Sequence, residues 1–309
     1  MKTIYLSEKD TAPELPPCAL AVGFFDGVHK GHQRVILTAK SKAEELGIQS
    51  AVMTFDPHPS VVLNQKVKHA KYITPLAEKE LILNSLGIDV LFVVHFDRKL
   101  ASLSPQNFVE KFFISLNVRH VVAGFDFSFG FKGQGSMKLL PEYANNRFTT
   151  TTVEKVTEND EKISSTRIRR LLDKGDTSKV GQLLDRPYSI TGEVISGDQR
   201  GRTIGYPTAN VSINADYYMP KNGVYAVKVM LNGKEYNGMA NLGFKPTFSN
   251  EEVKFLEVHM FDFNEDIYGC RISVLFYEYI REEVKFDGIE ALVVQLHADE
   301  LKARGLLEY

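Results

Sequence analysis

Two histidines three residues apart carry the first chemistry in this chain. His29 and His32 lie in GFFDGVHKGHQ (Gly23 to Gln33), one on each side of Gly31 and just after the apolar run Cys18 to Val22. The run reads as a buried strand, Asp26-Gly27 is turn chemistry, and the residues after His32 take a helical pattern, so both histidines fall at or near a helix N-terminus. Free backbone N–H groups and the positive end of the helix dipole favour an anion there. Gly31 leaves room for a phosphate to approach the backbone, and each imidazole can donate to a phosphoryl oxygen. Two surface histidines on a strand-to-helix turn are the plain alternative; the flanking glycines and the preceding strand weigh against it.

A second anion candidate is ISSTRIRRLLDKG, Ile163 to Gly175. Ser164, Ser165 and Thr166 offer N-cap hydroxyls and free N–H groups, and Arg167, Arg169 and Arg170 follow in the first turns, where they oppose the helix dipole. An anion would relieve that opposition; a capped surface helix with ordinary basic residues is the alternative. Gly23, Gly27 and Gly31 are spaced by four, unlike the dinucleotide fingerprint, and no Gly-rich loop ends in Gly-Lys-Ser/Thr, which excludes a typical NAD domain and a P-loop enzyme. The glycine-rich stretch Gly130 to Gly135 reads as a mobile flap. His58, set between prolines, reads as a rigid-turn residue, and His69, His95, His120 and His297 find no partner in the sequence.

The elements that must position these groups change character along the chain. From Gly31 to about Asp126 one pattern occurs three times: a helical stretch, a Leu-Gly or Leu-Asn stop, then a continuously apolar strand. The stops are Leu46-Gly47, Leu86-Gly87 and Leu116-Asn117, and the pattern predicts a parallel sheet with helices on both faces. Ligands of such sheets bind beyond the carboxyl ends of the strands, where Gly23 to His32, Asp56-Pro57-His58-Pro59 and Gly124-Phe125-Asp126 would converge. Beyond about Asp185 the period becomes two, as in an antiparallel sheet or barrel, with Asn232-Gly233 as its clearest hairpin turn. In KFLEVHMFDF, Leu256, Val258 and Met260 fall on a core face, and Phe255, Glu257, His259 and Phe261 on the other. A C-terminal helix closes the chain, with Asp287 as N-cap and Ile289, Leu292, Val293 and Leu296 as the stripe that packs on the barrel. The expected division is residues 1–182 and 183–309.

Composition bounds the partners. Over 309 residues, 37 basic and 39 acidic side chains give a net charge of −2 without long runs of one sign, so neither nucleic acid nor an anionic membrane is expected. The N-terminus breaks its apolar character with charges and prolines before a signal-peptide core can form, which reads as cytoplasmic. Cys18 and Cys270, the two cysteines, read as reduced core residues rather than a disulfide or zinc site.

Taken together, His29-x-x-His32 after a first strand and the distant ISST-x-x-Arg segment resemble the nucleotidylyltransferase superfamily. More closely, GFFDGVHKGH, DPHP, AGFDFSFG and ISSTRIR are similar to the adenylylating module of bacterial bifunctional riboflavin kinase/FAD synthetases, a Rossmann-like domain. GEVISGDQRGRTIGYPTAN, GVYAV, NLGFKPTF and LEVHMFDFNEDIYG are similar to the riboflavin kinase module of that family, in the same order.

The resemblance implies two reactions. In the first half FMN would attack the α-phosphorus of ATP and expel pyrophosphate, giving FAD. His29 and His32 would stabilise the triphosphate, Ser164, Ser165, Thr166 and Arg169 would hold its β- and γ-phosphates, and Gly23, Phe25, Asp26, Gly31 and Asp126 would line the nucleotide site. Asp126 stands where relatives often carry Asn, and a carboxylate near phosphates needs a partner. In the second half the primary hydroxyl of riboflavin would attack the γ-phosphorus of ATP, with Glu257 as base, Thr208 and Asn210 as ligands of Mg²⁺, and the loop Gly197 to Gly205 closing over the phosphates. From the residues alone Glu257 is a solvated strand residue. Arg281 is a flavin-binding candidate, with an exposed strand-end arginine as its alternative. An enzyme with one of the two activities, or a flavin- or nucleotide-binding sensor without turnover, are the rival readings.

Overall fold

Uninterrupted apolar pentads become strands when both of their faces can be covered. In the computed structural model, which describes residues 1–10, 14–64, 69–197, 200–246 and 252–308, this happens in the first of two units, Met1–Ser165; the second is Thr166–Tyr309.

The first unit is built on six parallel strands: β1 (Lys2–Leu6), β2 (Cys18–Val22), β3 (Gln49–Asp56), β4 (Val90–His95), β5 (Val118–Gly124) and β6 (Thr149–Val153), in the order β1-β4-β3-β2-β5-β6. Alternate residues serve the two faces. Leu20 and Val22 of β2 and Phe92 and Val94 of β4 join Phe108, Phe112 and Phe113 in one core. Ala21, Val52, Leu91 and Val93 join the other core, with Val35, Ile36 and Ala39 of helix α1 (Lys30–Leu46) and Leu83 of helix α2 (Leu76–Ser85). The three expected stops hold: Gly47, Gly87 and Asn117 all lie at positive φ, the left-handed conformation that ends a helix.

The two edge strands were not legible in the sequence. β1 leaves Tyr5 66% exposed, and β6 is a run of threonines, so neither shows the apolar continuity of a strand buried on both faces. His120 finds its partners on β6, with Nδ1 2.6 Å from Thr149 Oγ1 and Nε2 2.8 Å from Thr151 Oγ1. The Gly130 to Gly135 stretch belongs to a small hairpin pairing Ser128–Phe129 with Gly135–Ser136, and Phe129 anchors it in the aromatic core.

The second unit holds a closed antiparallel barrel of β7 (Tyr188–Ile195), β8 (Ala209–Ser212), β9 (Gly223–Leu231), β10 (Lys234–Pro246), β11 (Glu252–Met260) and β12 (Arg271–Arg281), ordered β7-β8-β11-β10-β9-β12. Asn232 and Gly233 turn the β9–β10 hairpin with φ of 50° and 79°. Helices Ser165–Lys174 and Thr177–Leu184 precede the barrel. Thr177, Val180, Leu183 and Leu184 of the latter are buried, and Thr177 Oγ1 donates to the Tyr277 carbonyl at 3.1 Å.

Four expectations about this half need correction. The C-terminal helix, Ile289–Leu307, is preceded by Gly288 as N-cap rather than Asp287. Of the expected stripe only Ile289 faces water, at 67% exposure; Leu292, Val293 and Leu296 are half-buried, and the same face runs on through buried Asp299, Ala303 and Leu307. On that face Asp299 meets Arg281, whose guanidinium holds its carboxylate in a fork with N–O distances of 2.7–3.0 Å. Arg281 is therefore not an exposed strand-end residue. Phe261, just beyond β11, keeps the face of His259, whose ring centre is 5.8 Å from its own, but it is buried under Arg304 rather than polar in its surroundings. Cys18 is buried, which pushes its thiol up to about 12, but Cys270 at the turn before β12 is only partly covered.

One buried charge sits beneath the strand-end loops of the first unit. Lys79 of α2 is 3% exposed. Its Nζ donates to the Phe24 carbonyl at 2.8 Å and to Thr54 Oγ1 at 3.0 Å, and it lies 4.8 Å from the Phe24 ring centre. Desolvation pulls its pKa down to about 8, against the opposing pull of Asp26 and Asp56. Between that value and the ordinary lysine value of 10.5 the unfolded chain binds the proton that the folded chain has released, so stability rises with pH there. The full shift corresponds to about 3 kcal/mol. Urea unfolding of the wild type and Lys79→Met, compared from pH 7 to 10.5, should show the wild type gaining on the variant above pH 8; a constant difference would mean that Lys79 is not held as a buried cation.

Candidate functional site

The loop after β2 is built around three left-handed residues. Phe25 (φ 54°), Gly27 (φ 91°) and Val28 (φ 42°) reverse the chain within four positions, and for phenylalanine and a β-branched valine that conformation costs on the order of 1–2 kcal/mol each. Both side chains are buried, which holds the strained path in place. Gly23 is required by contact, since a Cβ there would come within 2.9 Å of the Phe25 ring. Asp26 is buried, accepts the Thr74 N–H at 3.1 Å through Oδ1, and through its main-chain carbonyl accepts the Ser165 hydroxyl at 2.9 Å. That last bond ties the ISST segment to the loop.

The path delivers His29 to the N-cap of α1. Its Nδ1 accepts the His32 N–H at 3.2 Å, which leaves Nε2 as the ring's donor toward the loop. The two imidazoles stack, with ring centres 3.5 Å apart and planes at 17°. Gly31 serves this stack: a Cβ there would stand 3.1 Å from the His29 ring, so the space expected for a phosphate is filled by the imidazole itself. His32 Nδ1 is buried with no hydrogen-bond partner among the described residues. Burial first, then the nearby His29, Lys79 and Lys162, hold His32 well below the ordinary histidine range and therefore neutral. A cluster that resists a further proton yet keeps an unmatched polar atom suits an anion with oxygen acceptors.

Sequence reasoning missed two cations here, Lys79 and Lys162. Lys162 Nζ lies 2.6 Å from Asp126 Oδ2 and 4.7 Å from the centre of the Phe125 ring. It is the partner that Asp126 needed. Neither lysine carried a motif signal, because each is placed by packing between segments far apart in sequence. His58 is a turn residue as expected: its Nδ1 caps Ser60 and its ring meets Phe24 edge-on. Arg169 lies in the second unit, its guanidinium 5.6 Å from the Tyr218 ring centre, while Tyr218 donates to Asp173 at 2.8 Å. Thr166 is exposed and Ser164 half-buried.

In the barrel, pairing across strands assembles what alternation alone only hinted at. Glu257 of β11 is registered opposite Asn210 of β8 on one side and Asn241 of β10 on the other. Directly opposed residues present their side chains on one face with Cβ atoms about 4.5–5.5 Å apart. Leu256 and Val258 point into the barrel and are buried, so the row Asn210, Glu257, Asn241 lies on its outer face. Gly197 packs against the Asn210 amide, which a Cβ would strike, and Gly205 is left-handed with open space around it. Asp198 and Gln199, within the expected phosphate loop, lie outside the described residues, as do the last two residues of NLGFKPTF. His259, a further residue that sequence reasoning passed over, donates from Nδ1 to the Pro207 carbonyl at 2.7 Å and so fixes the strand entry that carries Thr208 and Asn210. Among the described residues no group of three His, Cys, Asp or Glu side chains could hold a metal. The oxygens of Thr208 and Asn210 are hard donors suited to Mg²⁺.

Comparison with known proteins agrees with both halves. The family model for FAD synthetase matches residues 11–167 and that for riboflavin kinase residues 184–307. A bifunctional riboflavin kinase/FMN adenylyltransferase of Listeria monocytogenes is 49% identical over 98% of each chain. The protein of the same description from Bacillus subtilis is 48% identical over 98% of this chain and 97% of its own. A solved chain described as a macrolide-efflux protein from Streptococcus pneumoniae is 37% identical, with a TM-score of 0.91 over 98% of this chain and 99% of that one. Among the described residues here, no helix is long and apolar enough to cross a membrane. With two whole-length relatives near one-half identity and a matching model on each half, this chain belongs to the bifunctional riboflavin kinase/FMN adenylyltransferase family.

Proposed function

We propose a residue-level division of the family's two reactions, in which residues 1–182 adenylylate FMN and residues 183–309 phosphorylate riboflavin. The chain converts riboflavin and ATP to FMN, then FMN and ATP to FAD and pyrophosphate. The observation that carries the first assignment is the stacked His29–His32 pair capping α1, with His32 held neutral.

For adenylyl transfer, a phosphate oxygen of FMN attacks the α-phosphorus and the bond to the bridging oxygen of pyrophosphate breaks. Both reacting groups are already ionised, so no base is required. The protein aligns them and answers the charge that grows on the α-phosphoryl and leaving oxygens. His29 supplies Nε2–H, His32 a neutral imidazole, and the α1 N-terminus its free N–H groups. Ser164, Ser165, Thr166 and Arg169 hold the β- and γ-phosphates, a role supported by the Ser165 link to the Asp26 carbonyl. Gly23, Phe25, Asp26 and Gly31 shape the loop, and Asp126, paired with Lys162, borders it.

For the kinase, Glu257 takes the proton from the riboflavin hydroxyl as its oxygen attacks the γ-phosphorus, and the bond from that phosphorus to the β,γ-bridging oxygen breaks to release ADP. Thr208 and Asn210 would hold Mg²⁺, which when bound would neutralise phosphate charge. Gly197 and Gly205 bound the loop that closes over the phosphates. Arg281 acts on this side through Asp299, fixing the helix that covers part of the face carrying Glu257. A cytoplasmic location is part of the same reading.

The two sites should be separable. His29→Ala with His32→Ala should lower FAD formation from FMN by at least ~10²–10³, the usual effect of losing one oriented donor, while riboflavin phosphorylation stays near wild type. Chromatographic separation of riboflavin, FMN and FAD reads both activities, and loss of both in a folded variant would reject the assignment. Glu257→Gln should cut the kinase rate by roughly 10²–10⁴ and spare conversion of supplied FMN to FAD; a kinase rate near wild type would return Glu257 to a structural role. A fragment spanning 183–309 contains every proposed kinase group but lacks the buried Ile168, Leu172, Thr177 and Val180. It should make FMN and no FAD, with a lower unfolding midpoint than a fragment spanning 166–309. A well-folded longer fragment without kinase activity would show that the site takes residues from the N-terminal half.

A further inference from the structure

Asn241 carries an unanswered hydrogen-bonding group beside the proposed base. Its Nδ2 donates to Glu283 Oε1 at 3.3 Å, while its Oδ1 is buried with no partner among the described residues. The amide cannot be turned the other way, because a carboxylate only accepts and would then face another acceptor. A buried carbonyl oxygen without a donor costs about 1–3 kcal/mol, so its retention in a barrel strand calls for an explanation.

Register supplies the explanation. Asn241 stands directly opposite Glu257 on the same face, and Asn210 stands opposite Glu257 from the other side. Phosphoryl transfer requires the attacking hydroxyl and the leaving phosphate to approach phosphorus from opposite directions. With the nucleotide and its metal on the Asn210 side, the hydroxyl substrate belongs on the Asn241 side. Glu283, the partner of Asn241, also lines a cleft of about 440 Å³ with Lys221, Asn222 and Glu282, so the same side has open space for the body of a ligand.

We propose that Asn241 Oδ1 accepts a hydrogen bond from a secondary hydroxyl of the ribityl chain of riboflavin and so aims the terminal hydroxyl at Glu257. This rests on the reading that the face carrying Glu257 is the kinase site. Asn241 makes the enzyme read the polyol chain, whereas the flavin ring is left to other contacts. It also accounts for the orphan, which is a cost in the free protein that the substrate removes on binding.

The test uses the full-length protein, riboflavin, and riboflavin analogues lacking the 2′-, 3′- or 4′-hydroxyl. In the wild type one analogue should lose about 10- to 100-fold in kinase kcat/KM, as expected for a buried acceptor left unpaired. In Asn241→Leu, close in size but without the acceptor, riboflavin should fall by a similar factor, chiefly through KM for riboflavin, and that analogue should be handled within about twofold of riboflavin. Its thermal midpoint should stay level or rise, because the orphan is gone, and its Mg²⁺ requirement should not move. Asn241→Ser, which keeps a small acceptor, should recover part of the discrimination. Unchanged riboflavin kcat/KM in Asn241→Leu, discrimination among the analogues that survives the substitution, or a shift in Mg²⁺ dependence without a shift in riboflavin KM would each overturn the proposal. Should Asn241→Leu fail to fold, the wild-type analogue series decides: equal use of all three overturns it. If Glu257→Gln keeps its kinase rate, the site reading fails; if Glu257→Gln is inactive while Asn241→Leu is unaffected, only the role of Asn241 fails.

Discussion

Two-sided burial of the parallel sheet is the constraint on which the first site depends. Residues of β2 through β5 feed two separate cores, so these central strands have no face on which to carry a polar side chain at low cost. Chemistry is driven to the strand ends. There the loop after β2 must turn quickly enough to start α1 with its N-terminus at the crevice, and it does so through Phe25, Gly27 and Val28 in left-handed conformations. The strain is held because Phe25 and Val28 are themselves core residues. A surface loop of the same sequence would have no such hold, and the histidine stack would lose its geometry.

The barrel solves the same problem in another way. Its strands bury alternate residues, so the outer face remains available for a polar row, and closure of the sheet fixes that row to the register of hydrogen bonds. Asn210, Glu257 and Asn241 come from three strands and meet because β8, β11 and β10 are neighbours in the barrel. A slip of one residue in β11 would bury Glu257 and expose Leu256 and Val258. The hydrophobic core thus enforces the position of the proposed base.

The electrostatics of the two sites differ accordingly. The first is a desolvated, cation-rich pocket in which Lys79 has its pKa drawn down to about 8 and His32 is kept neutral. Low dielectric makes each donor there count for more against an incoming polyphosphate. In the second, Glu257 is only half-buried and lies among amide and hydroxyl groups, a setting in which a carboxylate can accept a proton and a hard cation can be held by oxygen.

The sequence by itself determined the parts whose signals are local. The stops at Gly47, Gly87 and Asn117, the Asn232-Gly233 turn, the change of period near Asp185 and the inward face of β11 all depend on the conformational preferences of a few adjacent residues. The motifs GFFDGVHKGH and PTAN with LEVH marked both proposed sites for the same reason: their residues are close in the chain. Tertiary structure decided whatever depends on partners distant in the chain. Edge position allowed the strands Lys2–Leu6 and Thr149–Val153 to lack an apolar run. The first turn of the last helix leaves Ile289 in water with Gly288, not Asp287, before it, and the Arg281–Asp299 fork joins the far part of its inner face to β12. Burial of Lys79 under Phe24, the Lys162–Asp126 pair, the His29–His32 stack that fills the space over Gly31, and the place of Asn241 beside Glu257 all arise from contacts between segments that only the fold brings together.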